Sequence, residues 1–176
     1  IAAFNAVARV DDFAITPMQS IGSALTTFVA QNHGAHNEGR IHKGLATGAA
    51  IGTAYWGVIC APIYFGAGFV MHLFVPTGGE AVLALGAVYL HRMAFFYLFT
   101  AWTNSLQGYF RGRGLLTATL VSSLLQIVIR VICSYWLAPA TGIGGIALAC
   151  GIGWTAMMLY ELPLYLRDRG KRKLAA

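Results

Sequence analysis

The sequence contains one long segment, residues 44–79, without a single Asp, Glu, Lys or Arg. About 20 apolar residues suffice for a helix to cross the ~30 Å hydrocarbon core of a bilayer, and an ordinary buried helix is shorter than this segment. The rest of the chain agrees, because 57% of its residues are hydrophobic and only 10% are charged. A water-soluble domain of that composition would lack a polar surface. We therefore predict an all-α fold, a polytopic bundle of transmembrane helices.

Polar turns divide the chain into five predicted spans, each long enough to cross the hydrocarbon core. They cover residues 1–33, 44–74, 80–110, 115–137 and 142–166, and a basic tail, residues 167–176, follows the last. Residues 138–142, Ala-Pro-Ala-Thr-Gly, are predicted to end the fourth span and to begin a tight hairpin with the fifth. The first span is the least regular, because Arg9 and two aspartates lie near its start and Pro17 lies inside it. It therefore needs neighbouring helices to be stable in a membrane.

The basic residues indicate how these spans are oriented, since the cytoplasmic loops of membrane proteins are enriched in Lys and Arg. Nine of the twelve basic residues follow the first, third or fifth span: Arg40, Lys43, Arg111, Arg113, Arg167, Arg169, Lys171, Arg172 and Lys173. The loops after the second and fourth spans, residues 75–79 and 138–141, contain none. This alternation predicts a multi-pass protein of the plasma (inner) membrane with a cytoplasmic C-terminus. The net charge of +6 then favours contact with membrane lipid rather than with nucleic acid.

Several motifs resemble those of one transporter family. Residues 28–41, FVAQNHGAHNEGRI, resemble the FVAQNxGAxxxxRI signature of the multidrug and toxic compound extrusion (MATE) family. Residues 73–76 are similar to the loop before the family's YLR helix, and residues 96–97 are similar to its PFY element. Residues 107–114 resemble its GxLRGxG element, and residues 142–149 resemble the GIxGIxLA opening of its last hairpin. The resemblance covers nearly the whole chain, in the order of the family.

The resemblance has implications for both fold and activity. Members have twelve helices in two six-helix lobes, and this chain would supply the last five, as a partial C-terminal lobe of a MATE-like twelve-helix transporter. The N-terminal lobe and the first helix of this lobe would be absent, so the rest of its own chain would be a partner. The family exports organic cations or drugs in exchange for Na⁺ or H⁺ by alternating access. The resemblance thus implies a secondary active antiporter that is not an enzyme and needs no cofactor besides its coupling ion.

Arg130 is the most informative ionisable residue, because charged groups at membrane depth are costly and commonly face a cavity or a partner. It lies about 22 Å along the fourth span, and Gln126 shares its helix face at i, i+4. Ser122, Ser123 and Ser134 extend a polar stripe on the same helix. This stripe is predicted either to line a substrate cavity or to hold a neighbouring helix through backbone carbonyls.

The third span carries polar and aromatic candidates for substrate contact. Asn104 and Gln107 belong to a polar belt that could line a route for a weakly hydrated substrate, and interhelical hydrogen bonding is the alternative. Tyr97 and Trp102 could form an aromatic wall for a planar cation, and bundle packing is the alternative. These four residues complete the predicted substrate-contact set.

Asp11 and Asp12 are the predicted ion-coupling residues. Residues Arg9 to Asp12 lie roughly 33 to 38 Å from Gly34 at 1.5 Å per residue, near the outer edge of the hydrocarbon. Two interpretations follow. Asp12 forms an interfacial ion pair with Arg9 at i, i+3, or a carboxylate of this pair reaches an outward cavity and holds a cation or a proton there.

Acidic residues are otherwise scarce at membrane depth. Some branches of the MATE family carry an acidic residue in the helix that corresponds to the third span, whereas this sequence has none between Glu80 and Glu161. Either the coupling carboxylate lies in the N-terminal lobe, or this protein couples differently. Glu161 is itself a further ionisable group near the end of the fifth span.

Other functions remain open from the residues alone. A relative that flips lipid-linked sugars or exports polysaccharide is an alternative, and it would be expected to need a larger cationic groove. A membrane subunit without transport activity is another. No catalytic residue is predicted, since the sequence has no HExxH motif, nucleophile elbow or usable Ser/His pairing. No metal site is predicted either, because His33, His36 and His42 flank a loop.

Overall fold

The computed structural model describes residues 2–74 and 79–173, and these residues form five helices. They are α1 (Ala2–Gly34), α2 (Glu38–Phe74), α3 (Glu80–Gly112), α4 (Leu116–Thr141) and α5 (Ile143–Lys173). The described part of the chain contains no strand, which confirms the all-α class. Of the predicted loop at residues 75–79, residues 75–78 lie outside the described ranges.

Four helices, α2 to α5, are long and apolar enough to cross a membrane. Helix α1 has comparable length, but it contains no stretch as apolar as those of the other four helices. Its role as a fifth span therefore stays a prediction. It lies against α3 and α2 rather than apart from the bundle, as its polar start requires.

Three helix boundaries differ from the predicted span boundaries by more than two residues. Helix α2 begins at Glu38, before the apolar segment, and α5 continues through the first part of the basic tail to Lys173. Helix α4 continues past residue 137 and through Pro139, and it ends at Thr141. A proline in the last turn removes only one backbone donor, whereas Gly142 adopts a φ of 60° and its N–H donates to Ala138 O at 2.9 Å. Gly142 therefore ends the helix, and the predicted α4–α5 hairpin forms.

Helix α2 is kinked. Gly66 has a non-helical conformation, with φ −132° and ψ 33°, one turn after Pro62. Proline cannot donate to the carbonyl one turn earlier, and its ring crowds that turn, so a kink close to Pro62 is expected.

Helix α3 is the central element and packs against α1, α2 and α5, while α4 is held mainly by α5. Glycines allow α1 and α3 to approach closely. We call the contact formed by Gly22, Gly108 and Gly112 the glycine seam. A Cβ added to Gly108 would lie 2.5 Å from Gly22 O, and one added to Gly112 would lie 2.6 Å from Thr26 O. Small residues at such positions let membrane helices pack backbone to backbone.

We expect Gly108→Ala to destabilise the protein by about 1–3 kcal/mol, because the added methyl group meets backbone that cannot move aside. The measurement is the thermal unfolding temperature of the purified full-length protein in detergent. Gly68→Ala is the matched control: a Cβ there meets no atom within 4 Å, so it should leave stability unchanged or raise it by about 0.5–1 kcal/mol. Equal unfolding temperatures for the two variants would contradict the glycine seam.

Helices α1, α3 and α5 end, and α2 and α4 begin, at the same end of the bundle, which we call the basic end. A cluster of charged residues joins the helix ends there. The buried Arg113 guanidinium binds both carboxylate oxygens of Glu38, and its Nε lies 3.7 Å from Asp168 Oδ2. Tyr109 Oη donates to the same Asp168 oxygen at 2.6 Å. Burial disfavours the charged guanidinium and is the largest single effect, but the Glu38 hydrogen bonds together with the electrostatic interactions with Tyr109, Glu38 and Asp168 outweigh it and raise the pKa of Arg113. The cluster thus ties the starts and ends of α2, α3 and α5 together.

Candidate functional site: a polar cavity

Helices α1, α3, α4 and α5 enclose a polar cavity of two adjoining chambers. The first, the aspartate chamber, has a volume of about 260 Å³ and is lined by residues that include Asp11, Tyr89, Ser134 and Cys150. The second, the amide chamber, has a volume of about 250 Å³ and lies nearer the basic end. Its polar lining residues are Gln19, Thr100, Thr103, Asn104, Gln107, Ser123 and Gln126. Ile15, Arg130 and Trp154 line both chambers, so these side chains stand where the two meet.

Asp11 is held in the wall of the aspartate chamber by two tyrosines of α3. Tyr89 Oη donates to Asp11 Oδ2 at 2.7 Å, and Tyr97 Oη donates to Asp11 Oδ1. Both tyrosines are buried, with exposed fractions of 2% and 0%. Each carboxylate oxygen thus has a fixed donor inside the bundle, and its remaining lone pairs are available to the chamber. The structure places Asp11 in the bundle, where burial against α3 shields it, and not at an open interface.

Asp12 and Arg9 lie on the exposed surface of α1. The predicted ion pair between them is wrong: within residues 7–74 and 79–171, the ion pairs involve His33, Glu38, Arg113 and Asp168. An exposed i, i+3 pair gains little over separate hydration of the two charges, so nothing forces the side chains together. Asp12 therefore does not belong to the cavity.

The amides predicted on α3 and α4 meet in the amide chamber. Asn104 Nδ2 donates to Thr100 O at 2.8 Å, and Gln107 Nε2 donates to Ser123 Oγ of α4 at 3.2 Å. Gln126 lines the same chamber from α4. For Gln107 the two interpretations are therefore compatible, because its side chain both joins two helices and borders the cavity.

Arg130 is exposed to the cavity at the junction of the two chambers. Helix α5 packs closely behind it, because a Cβ built on Gly153 would lie 3.0 Å from Gln126 O and 3.4 Å from Arg130 Cβ. The Gln126–Arg130 face of α4 thus turns toward α5 and the cavity. Of the two interpretations of the stripe, this placement favours a cavity wall.

The aromatic candidates lie elsewhere. Tyr97 is fully buried and holds Asp11 instead of bordering a chamber. Trp102 faces α2, where its Nε1 donates to Thr53 Oγ1 at 2.9 Å. Successive helix positions differ by about 100°, so Trp102 and Asn104 point in nearly opposite directions. Tyr97 and Trp102 therefore do not form an aromatic wall of this cavity.

Two residues of α5 were missing from the predicted site. Trp154 supplies an indole ring to both chambers. Its position in the middle of a span, far from an interfacial aromatic belt, was the available signal. Glu161 is fully buried, and neither carboxylate oxygen has a hydrogen-bond partner among the described residues. Its position at membrane depth was noted from the sequence, but nothing there placed it beside the cavity.

Comparison with known proteins gives the family. The MatE family model matches residues 1–136, which include α1 to α3 and most of α4. The chain belongs to the MATE family. MATE proteins are transporters, and together with the four apolar helices this makes the chain a multi-pass membrane protein.

A curated relative supports the same assignment. "Probable multidrug resistance protein YpnP" of Bacillus subtilis (strain 168) is 30% identical to this MATE chain over 155 residues. The match covers 88% of the chain but only 34% of the relative, so the chain spans about a third of that protein's length. No solved structure matches the chain. No group of His, Cys, Asp and Glu suited to a metal ion occurs within the residues that the structure describes.

Proposed function

We propose that this MATE chain is part of a secondary active antiporter that exports organic cations or drugs in exchange for Na⁺ or H⁺ by alternating access. The observation that carries the proposal is Asp11, a carboxylate held by two buried tyrosines in the wall of a polar cavity inside an apolar bundle. The name of the Bacillus relative, a probable multidrug resistance protein, supports export of drugs.

Asp11 is a site at which the coupling ion and a cationic substrate would compete, and antiport requires such competition. An ionised carboxylate surrounded by hydrocarbon needs a neutralising partner, which can be a proton, a Na⁺ ion or the positive group of a substrate. Occupation by the coupling ion removes the charge that would attract a cationic substrate, and the reverse also holds. A site that accepts only one of the two at a time links their opposite movements.

Arg130 is a tethered positive charge in the aspartate chamber that Asp11 also lines. It lowers the cost of an ionised Asp11 when the chamber is empty, and it opposes the presence of a second cation beside a bound one. Arg130 thus tunes how firmly the chamber holds a cation. A substrate that moves between the two chambers would pass Arg130, because this side chain lines both of them.

The amide chamber suits the organic part of a substrate. Its neutral amides and hydroxyls, with the Trp154 indole, can contact a weakly hydrated molecule without binding any one group tightly. Each chamber is slightly smaller than the range of about 300–1,000 Å³ that is typical of small-ligand pockets. A drug-sized substrate would therefore occupy both chambers or also contact the rest of the protein, including the N-terminal lobe.

The proposed setting is the plasma (inner) membrane, with the basic end in the cytoplasm. Basic residues enriched at one end of a helical bundle favour that orientation. Arg167 and Lys171, exposed near the end of α5, are placed to contact anionic lipid.

A flippase for lipid-linked sugars, or a polysaccharide exporter, remains the alternative. Such a substrate carries phosphate groups and favours several cationic side chains in its groove. Among the described residues that line the two chambers, Arg130 is the one cation. This charge pattern favours a cationic or neutral organic substrate instead.

The test uses the full-length protein expressed in a cell that lacks its major drug pumps, with ethidium as the probe. We expect ethidium accumulation to fall, and Arg130→Ala to weaken the export rate by a factor of about 5 to 30, as expected for a loss of 1–2 kcal/mol. Arg9→Ala, an exposed arginine outside the cavity, is the matched control and should export normally. Unchanged accumulation at normal membrane expression would overturn drug export and would favour a flippase or a subunit without transport activity.

A further inference from the structure

The surroundings of Glu161 on α5 favour the protonated, neutral form of its carboxyl group. Its side chain has an exposed fraction of 0%, and both carboxylate oxygens lack a hydrogen-bond partner among the residues described. An ionised carboxylate in such a place costs several kcal/mol, because it is removed from water and no well-placed hydrogen bond replaces that hydration. A neutral carboxylic acid avoids most of that cost.

The polar groups that face Glu161 come from the two helices packed against α5 at this level. Helix α4 presents Ser122, whose hydroxyl donates to Thr119 O at 3.1 Å. Helix α3 presents Gln107, whose amide donates to Ser123 Oγ, and it presents Arg111. Arg111 is the charged group of the described residues that acts on Glu161. The Ser122 hydroxyl and one N–H of the Gln107 amide are therefore directed to other acceptors.

These surroundings point to a proton and not to a metal ion as the ligand. A Na⁺ or divalent ion requires several oxygen ligands around it, whereas Glu161 has one hydroxyl and one amide nearby and a guanidinium that repels cations. A proton needs only the carboxylate oxygen. Gln107 also lines the amide chamber, so its side chain lies between the buried Glu161 carboxyl group and the cavity.

We infer that Glu161 is a proton-binding site at the basic end of the cavity, separate from Asp11. The carboxyl group holds a proton while α3, α4 and α5 enclose it as they do in this structure. It releases the proton to water when the Gln107 and Ser122 side chains no longer cover it, and it takes one up again on closing. This inference concerns the protonation of Glu161 itself, and it holds whether or not the protein exports drugs.

The first test is the pH dependence of stability in purified full-length protein without drug. An unfolded chain releases the glutamate proton above a pH of about 4.3, whereas the folded protein retains it, so the unfolding temperature should fall as pH rises from 6 to 9. In Glu161→Gln, which keeps the shape without a titrating proton, this decline should be reduced. Glu80→Gln, an exposed glutamate at the start of α3, is the matched control and should retain the wild-type decline.

The second test uses dicyclohexylcarbodiimide, an apolar reagent that attacks protonated carboxyl groups, with mass spectrometry as the readout. At pH 7 an exposed glutamate is only about 0.2% protonated, so labelling at Glu161 should exceed labelling at Glu80 by about a hundredfold or more. Glu161→Gln should remove that label. Identical pH profiles for wild-type protein and Glu161→Gln would overturn the inference, as would labelling at Glu161 no greater than at Glu80.

Discussion

Asp11→Asn is expected to reduce coupled transport strongly while leaving the protein folded. Asparagine has the same shape, but it carries no charge, and its amide nitrogen cannot accept the hydrogen bond of the second tyrosine. Hydrogen bonds to charged groups contribute about 1.5–3 kcal/mol, so we expect ion-driven efflux to fall by a factor of about 10 to 150. The measurement is ethidium efflux from proteoliposomes of full-length protein under an imposed H⁺ or Na⁺ gradient.

Asp12→Asn is the matched control for this experiment. The residue is adjacent in sequence and carries the same charge, but it lies on the exposed surface of α1, outside the cavity. It should therefore transport like the wild type. Tyr97→Phe removes one donor from Asp11 and should give an intermediate rate. Equal losses in Asp11→Asn and Asp12→Asn would assign the effect to the charge of this segment and not to the site.

Arg113→Ala is expected to be the most damaging single substitution for folding. The guanidinium is buried and binds Glu38 with two nitrogens, and its Nε lies 3.7 Å from Asp168 Oδ2. Removing one partner of a buried pair costs about 3–5 kcal/mol, because the carboxylates left behind lose their counter-charge. We expect little folded protein in size-exclusion chromatography of the detergent extract, and a strongly lowered unfolding temperature in what remains.

Two further variants make this prediction specific. Arg113→Lys keeps the charge but cannot bind both carboxylate oxygens with a planar group, so it should recover only part of the lost stability. Arg40→Ala removes an exposed arginine at the same end of the bundle and should change stability by less than about 0.5 kcal/mol. If Arg113→Ala unfolds at the wild-type temperature, the charge cluster does not hold the basic end together.

The number and class of the helices were predictable from the sequence, because long apolar segments with polar breaks have few alternatives in a bilayer. The helix ends were less predictable. Pro139 suggested an end that in fact lies at Gly142, and the tail beyond residue 166 continues as helix to Lys173. The extended part of α5 contacts a neighbouring helix, because Asp168 accepts a hydrogen bond from Tyr109 of α3. Composition averaged over a span does not contain this information.

The candidate site was predictable in residue type but only partly in arrangement. Charge at membrane depth singled out Arg130 without any structure, because burying such a group is costly. Asp11 was predicted only together with Asp12, near the outer edge of the hydrocarbon, and the sequence did not show which of the two enters the bundle. Which side chains meet depends on how each helix is rotated against its neighbours. That rotation brings Tyr97 to Asp11, turns Trp102 toward α2 and brings Trp154 into the cavity. A single sequence does not determine these rotations.

The close approach of α1 and α3 has a mechanical consequence. Where Gly22 and Gly108 leave no space between the two backbones, one helix cannot slide along the other without collision. We therefore expect the two helices to move together as one rigid unit, so that Tyr89 and Tyr97 would stay bound to Asp11 when the bundle rearranges. In the transport cycle proposed above, access to the cavity would then come from displacement of α4, which contacts α3 much less than α5 does.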